Sequence, residues 1–123
     1  MKTLLQVTGI DRVALHVKNL ARSKKFYVEL LGMEVEQEKS GQLLLRCGSQ
    51  TVALFQVRYG TGVRGGSEMN HIALRLKDGD HPKVKAMLEE SGFKVAGHRD
   101  DPNALYLRDP DGHHLKLLPP GEK

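Results

Sequence analysis

Apolar and polar residues alternate through Ile10-Asp11-Arg12-Val13-Ala14-Leu15-His16-Val17-Lys18, and that period of two predicts a half-buried strand. The period then lengthens. Phe26, Tyr27, Leu30 and Leu31 recur at helical spacing among Lys24, Lys25 and Glu29, which predicts a helix opened by Asn19 as N-cap and closed by Gly32 in a left-handed C-cap. Three more strands are predicted over 33–38, 42–47 and 51–58, with hairpin turns at Ser40-Gly41 and Gly48-Ser49. The order is β-α-β-β-β.

The stretch from Tyr59 to Ser67 holds four glycines in nine residues and reads as a linker. Beyond it the order repeats. A strand is predicted over 69–77, then a helix capped by Asp78 or Asp80, with Pro82 in its first turn and Val84, Met87 and Leu88 on its apolar face. Gly92 ends this helix, and strands follow near 93–98, 104–108 and 113–118. Asp109-Pro110-Asp111-Gly112 is the turn joining the last two, and the tail from Pro119 to Lys123 is expected to be loose. The residues repeat as well as the elements: Ile10–Asn19 aligns with Met69–Asp78, and Leu31–Val35 with Ser91–Val95. One supersecondary unit used twice implies a pseudo-twofold arrangement in which matched positions converge. At the most chemically loaded of those positions the copies differ, Arg12 against His71.

At 123 residues the chain suits one domain built of two fused modules, about 9–58 and 68–118, with the linker at 59–67. A chain of this size buries enough surface to need no disulfide. Its single cysteine, Cys47, lies in an apolar run and reads as a small buried hydrophobe in a reducing compartment. The apolar run at the N-terminus is too short for a secretory signal and no stretch reaches the length of a membrane span, so the expected place is the cytoplasm. The net charge of +4 is spread among acidic residues rather than massed. With 5% aromatics and no Trp, there is little stacking surface, and nucleic acid is not an expected partner.

The doubled β-α-β-β-β order, the opening Ile10-Asp11-Arg12-Val13-Ala14-Leu15, the Phe26-Tyr27 pair, Leu30-Leu31-Gly32-Met33 and the Asp109–Gly112 turn together resemble the vicinal oxygen chelate (VOC) superfamily. That group includes glyoxalase I, extradiol dioxygenases, methylmalonyl-CoA epimerase, fosfomycin-resistance enzymes and bleomycin-resistance binding proteins. The resemblance spans about residues 9–118. It implies an α+β fold whose mixed sheets curl into a cup, often completed across a homodimer.

In enzymes of that superfamily the cup holds a divalent metal on up to four side chains. The first strand of each module gives one, usually His, and the last strand of each gives one, usually Glu. The matching positions are Arg12, Gln56, His71 and Lys116, with 12 and 71 related by an offset of 59 and 56 and 116 by 60. Here the chain departs from the pattern. Arginine and charged lysine offer a cation no lone pair. His71 and Gln56 alone fall short of the three or four ligands such a site requires. Two fixed cations would also repel the ion by several kcal/mol at an effective dielectric of about 20. No metal cofactor is therefore expected. The alternative is a displaced zinc, nickel, manganese or iron site on His71 and His114 with a carboxylate. His16 shares strand parity with Arg12 but stands about 13 Å along the strand at about 3.3 Å per residue. His81 and His98 read as surface residues.

Arg12 and Lys116 keep positive charge where the metal would sit, and two cations facing one cavity call for an anion, a carboxylate or ample water. The leading expectation is a binding protein for a small anionic or carbonyl-bearing molecule. Arg12 would supply a planar fork, Lys116 a point charge, and His71 and Gln56 hydrogen bonds, with Arg75 extending the basic lining. The bland alternative is a solvated trough in which the cations pair with Glu68 or Glu36. An enzyme remains open, either with displaced metal ligands (a lyase, isomerase or dioxygenase-like member) or metal-free with His71 as general acid or base. So does a structural module whose cup is a dimer interface. If the four positions are ligand positions, Arg12→His with Gln56→Glu and Lys116→Glu creates a tight divalent-metal site, measurable by zinc titration. A folded triple variant with no gain in affinity shows the assignment of positions to be wrong.

Overall fold

In this computed structural model the structure describes residues 3–58, 70–98 and 101–120, the side chains of 98 and 101–103 excepted. The predicted linker at 59–67 and the last three residues lie outside that set. The chain divides into two compact units, Met1–Val63 and Arg64–Lys123.

The first unit runs β1 (Arg12–Val17), α1 (Leu20–Lys24), a π-helical segment (Lys25–Leu30), β2 (Glu34–Lys39), β3 (Gln42–Cys47) and β4 (Gln50–Gln56). Its sheet has the order β1-β4-β3-β2, with β1 parallel to β4 and the other pairs antiparallel. The Asn19 side chain caps α1 by accepting from the Arg22 amide at 3.0 Å, as the sequence predicts. The widening of the helix was not predicted. Leu31 N–H donates to the Phe26 carbonyl at 3.1 Å, one residue longer than the α-helical bond. Phe26 and Tyr27 are both buried, their rings edge to face at 5.1 Å. Gly32 ends the segment at φ +77, where a Cβ would be strained.

Period two decides what those helical turns cover. Leu15, Val17, Leu43, Leu45, Val52 and Leu54 are buried beneath α1 and the π-helical segment, with Ser23, Phe26 and Tyr27 against them. Each such aliphatic side chain contributes about 1.5–3 kcal/mol of burial. The alternate residues of β1, namely Arg12, Ala14 and His16, are exposed.

The second unit repeats the plan: β5 (Ile72–Arg75), α2 (His81–Glu90), β6 (Ala96–His98), β7 (Asp101–Arg108) and β8 (His114–Leu118), in the order β5-β8-β7-β6 with β5 parallel to β8. Of the two predicted caps, Asp80 is the one used, accepting from Lys83 N–H at 3.1 Å. Val84 and Leu88 are buried with Leu105, Leu107, Leu115 and Leu117. Met87 is not part of the apolar face predicted for it, being 54% exposed. His81, expected at the surface, is half-buried, and its Nε2 has no hydrogen-bond partner among the described residues.

The predicted turn joins β7 and β8, and one carboxylate organises it. Asp109 Oδ1 accepts from Asp111 N–H at 2.9 Å and His113 N–H at 2.8 Å, while Oδ2 meets His113 Nδ1 at 2.7 Å. The hydrogen bond to Asp109 raises the pKa of His113; burial opposes the shift, and the charges of Asp109 and Asp111 add to it. A raised folded-state value means this pair stabilises most below about pH 6.5, the unfolded value, and its contribution is lost as pH climbs through the folded one. Urea denaturation across pH 5–9 is therefore expected to show stability falling with rising pH, and a flatter profile for His113→Gln. Asp109→Ala is expected to cost about 2–4 kcal/mol, having lost three bonds to a buried carboxylate. An unchanged midpoint would contradict this.

Candidate functional site

Because partners in a parallel pair share a face, the registers fix which side chains can meet. In the second unit Ala73 pairs with Lys116, and Lys116 with Tyr106. All three stand on the face away from α2, since their neighbours Leu115, Leu107 and Leu105 are the buried ones. His71 directly precedes β5 and has the parity of Ala73. The contacts agree with the parity. The His71 and Tyr106 rings meet edge to face with centroids 6.0 Å apart, and the Lys116 ammonium lies 5.7 Å from the Tyr106 centroid, within the range of a cation–π contact. His71 and Lys116, matched to site positions by sequence, thus share one uncovered face with Tyr106 between them. Tyr106 was missed by the sequence reading. The signal was present in the Leu105-Tyr106-Leu107 alternation, which sends the phenol to the same side as Lys116.

The Nδ1 of His71 lies 2.7 Å from Asn70 Oδ1. An amide oxygen only accepts, so Nδ1 carries the proton, and in the neutral imidazole Nε2 presents a lone pair. His114 is exposed, pairs with Arg108 and shares the parity of Lys116. Among the described residues no three His, Cys, Asp or Glu side chains gather as a metal would require, so the displaced site on His71 and His114 has no carboxylate there. Arg75 faces the same way, but its Nη1 donates to the Pro119 carbonyl at 3.0 Å. That donor holds the backbone after β8.

In the first unit Arg12 is exposed at the start of β1 and pairs with Thr51. The guanidinium has no ion-pair partner among the described residues. Glu36, one of its two suggested partners, instead takes Arg46 and accepts from Thr51 Oγ1 at 3.3 Å. The other, Glu68, lies outside the described residues. Cys47 is half-buried and its thiol is pushed up by burial, in keeping with an unreactive side chain.

Gln56 requires a correction. The repeat of Lys116 is Ala53: Ala14 pairs with Ala53 as Ala73 pairs with Lys116, and Leu44 meets Ala53 as Tyr106 meets Lys116. The offset between copies is 59 at β1 and β5, 62 at β3 and β7, and 63 at β4 and β8. Three residues of that growth arise between β5 and β7 compared with β1 and β3, and the last arises because the β7–β8 connection, between the partners Arg108 and His114, is one residue longer than the β3–β4 connection between Arg46 and Thr51. Gln56 pairs with Val17, on the face opposite to Arg12, and its Oε1 accepts from Leu20 N–H at 3.0 Å. It tethers the first turn of α1, satisfying a donor that the helix itself cannot.

The residues at the matched positions are therefore Arg12, Ala53, His71 and Lys116. Of these, His71 carries a lone pair for a cation, whereas Ala53 and the charged forms of Arg12 and Lys116 do not.

A sequence profile of the Glyoxalase/Bleomycin resistance protein/Dioxygenase superfamily matches residues 9–117. Metallothiol transferase FosB of Staphylococcus haemolyticus is 27% identical over 115 residues, covering 90% of this chain and 83% of the relative. Catechol-2,3-dioxygenase of Bacillus subtilis is 29% identical, but the 95% of this chain that aligns spans only 43% of that enzyme. Among solved structures, glyoxalase I of Leishmania major superposes with a TM-score of 0.76 at 22% identity, covering 92% of this chain and 87% of that one. This last likeness concerns the fold.

The registers move the carboxylate of the metal-restoring variant from position 56 to 53. Arg12→His with Ala53→Glu and Lys116→Glu is expected to bind zinc more tightly than the version carrying Gln56→Glu, by calorimetric titration. Gln56→Ala alone is expected to cost about 1 kcal/mol of stability through the lost bond to α1. Equal zinc affinity in the two triple variants would contradict the register argument.

Proposed function

The chain belongs to the Glyoxalase/Bleomycin resistance protein/Dioxygenase superfamily, and from that premise we propose that it binds a small anionic or carbonyl-bearing molecule without a resident metal. The observation that carries the reading is the uncovered face of the second sheet, where Lys116, Tyr106 and His71 stand together. An ammonium and a phenol offer hydrogen-bond donors to an oxyanion or carbonyl oxygen, and a charge-assisted bond is about twice as strong as a neutral one. Arg12, at the matched position of the first unit, is the further cation of this proposal. With this reading go a small molecule as partner, a homodimeric assembly and a cytoplasmic location.

A second reading keeps the same face and adds chemistry. The free Nε2 lone pair of His71, set by the bond from Nδ1 to Asn70, is what a metal-free general base requires. Ordered proton transfer would then follow binding of a carbonyl compound. The relatives named above act as a transferase and a dioxygenase; neither activity is taken over here, because the donor set at Arg12, Ala53, His71 and Lys116 does not match a metal centre.

Calorimetric titration with small carboxylates and inorganic phosphate tests the binding reading. Arg12→Ala and Lys116→Ala are each expected to weaken binding tenfold or more, since a charged hydrogen bond contributes about 1.5–3 kcal/mol. Equal affinity in the native protein and both variants would rule it out.

A further inference from the structure

A cavity of about 490 Å³ lies wholly within the second unit. Its size suits a molecule of one aromatic ring with a short polar head. Phe93 and Val95 are apolar residues of its lining. Lys94, Arg108 and His114 also line it, and no Asp or Glu among the described residues does. Arg108 and His114 are register partners on β7 and β8, so their Cβ atoms stand about 5 Å apart. Two basic side chains so placed favour an anion between them. Tyr106 connects this cavity to the face already described, since it lines the cavity and also contacts His71 and Lys116.

We propose that the cavity holds an aromatic monocarboxylate, with the carboxylate on Arg108 and His114 and the ring against Phe93 and Val95. This rests on the reading of the chain as an anion-binding protein and narrows it to a ligand class. The guanidinium fork suits a planar carboxylate. The apolar walls give an aromatic ring a surface that a bare inorganic anion cannot use, and the ring of Phe93 can pair with it. A neutral aromatic molecule would leave the Arg108 charge without a partner inside the site.

The test is a set of titrations of nitrogen-15-labelled full-length protein followed by NMR, with phenylacetate, acetate, inorganic phosphate and benzyl alcohol as probes. Phenylacetate is expected to bind at least tenfold more tightly than each of the other three, and to shift the amides of residues 93–96 and 106–108. Arg108→Gln is expected to weaken phenylacetate at least tenfold while keeping the dispersion of the native spectrum; Arg108 is exposed, so its replacement leaves the core intact. Phe93→Leu is expected to lower the preference for phenylacetate over acetate without changing the affinity for acetate. Acetate or benzyl alcohol binding as well as phenylacetate would overturn the proposal. So would phenylacetate binding unchanged by Arg108→Gln; if Lys116→Ala then abolishes binding, the broader function stands and only this cavity is wrong. Binding lost in Arg108→Gln but unaffected by Arg12→Ala and Lys116→Ala would support the cavity and remove the anchors assigned above.

Discussion

A strand sends successive side chains to opposite faces, and a parallel partner inherits that assignment residue for residue. Everything at the candidate site depends on this. In the second unit α2 and the leucines of β7 and β8 occupy one face. What remains for the other face is whatever the sequence places between those leucines, namely Tyr106 and Lys116, with His71 and His114 at one end. A slip of one residue in β8 would bury Lys116 beneath the helix and expose Leu115 and Leu117, exchanging a charged face for an apolar one. The buried Asp109 carboxylate resists such a slip, because it fixes the five-residue connection from which β8 starts.

The duplication gives this constraint its functional meaning. Two copies of one plan carry the same leucines on the helix side and different residues on the other. At matched positions stand Arg12 and His71, and Ala53 and Lys116. Of these four residues, only His71 carries a lone pair when the others are charged or aliphatic. Under the proposed function, the cations Arg12 and Lys116 favour a ligand that carries negative charge itself.

The elements were legible because their signals are local. Asn19, Asp80, Gly32, Gly92 and the Asp109–Gly112 turn each act within a few residues, and the structure uses every one of them. The site was less legible because it depends on register. Counting along the chain pairs Gln56 with Lys116, since the four residues that the second copy gains between β5 and β8 do not appear in an alignment of the β1 and β5 segments. Gln56 also looks like a ligand in sequence because its amide is an unclaimed polar group there; in the fold it is claimed by Leu20 N–H. Tyr106 was overlooked because an aromatic between leucines reads as core, although its parity is that of the open face. Met87 was misassigned for a related reason: helical spacing marks an apolar stripe, and α2 buries only Val84 and Leu88 of it.

The central proposal is that fixed cationic side chains stand where relatives of this fold would gather metal ligands. The most direct measurement is elemental analysis by plasma mass spectrometry of the protein purified without chelator. The account predicts zinc, nickel, manganese and iron each far below one atom per chain. One of these metals at a full equivalent, retained through dialysis, would contradict it.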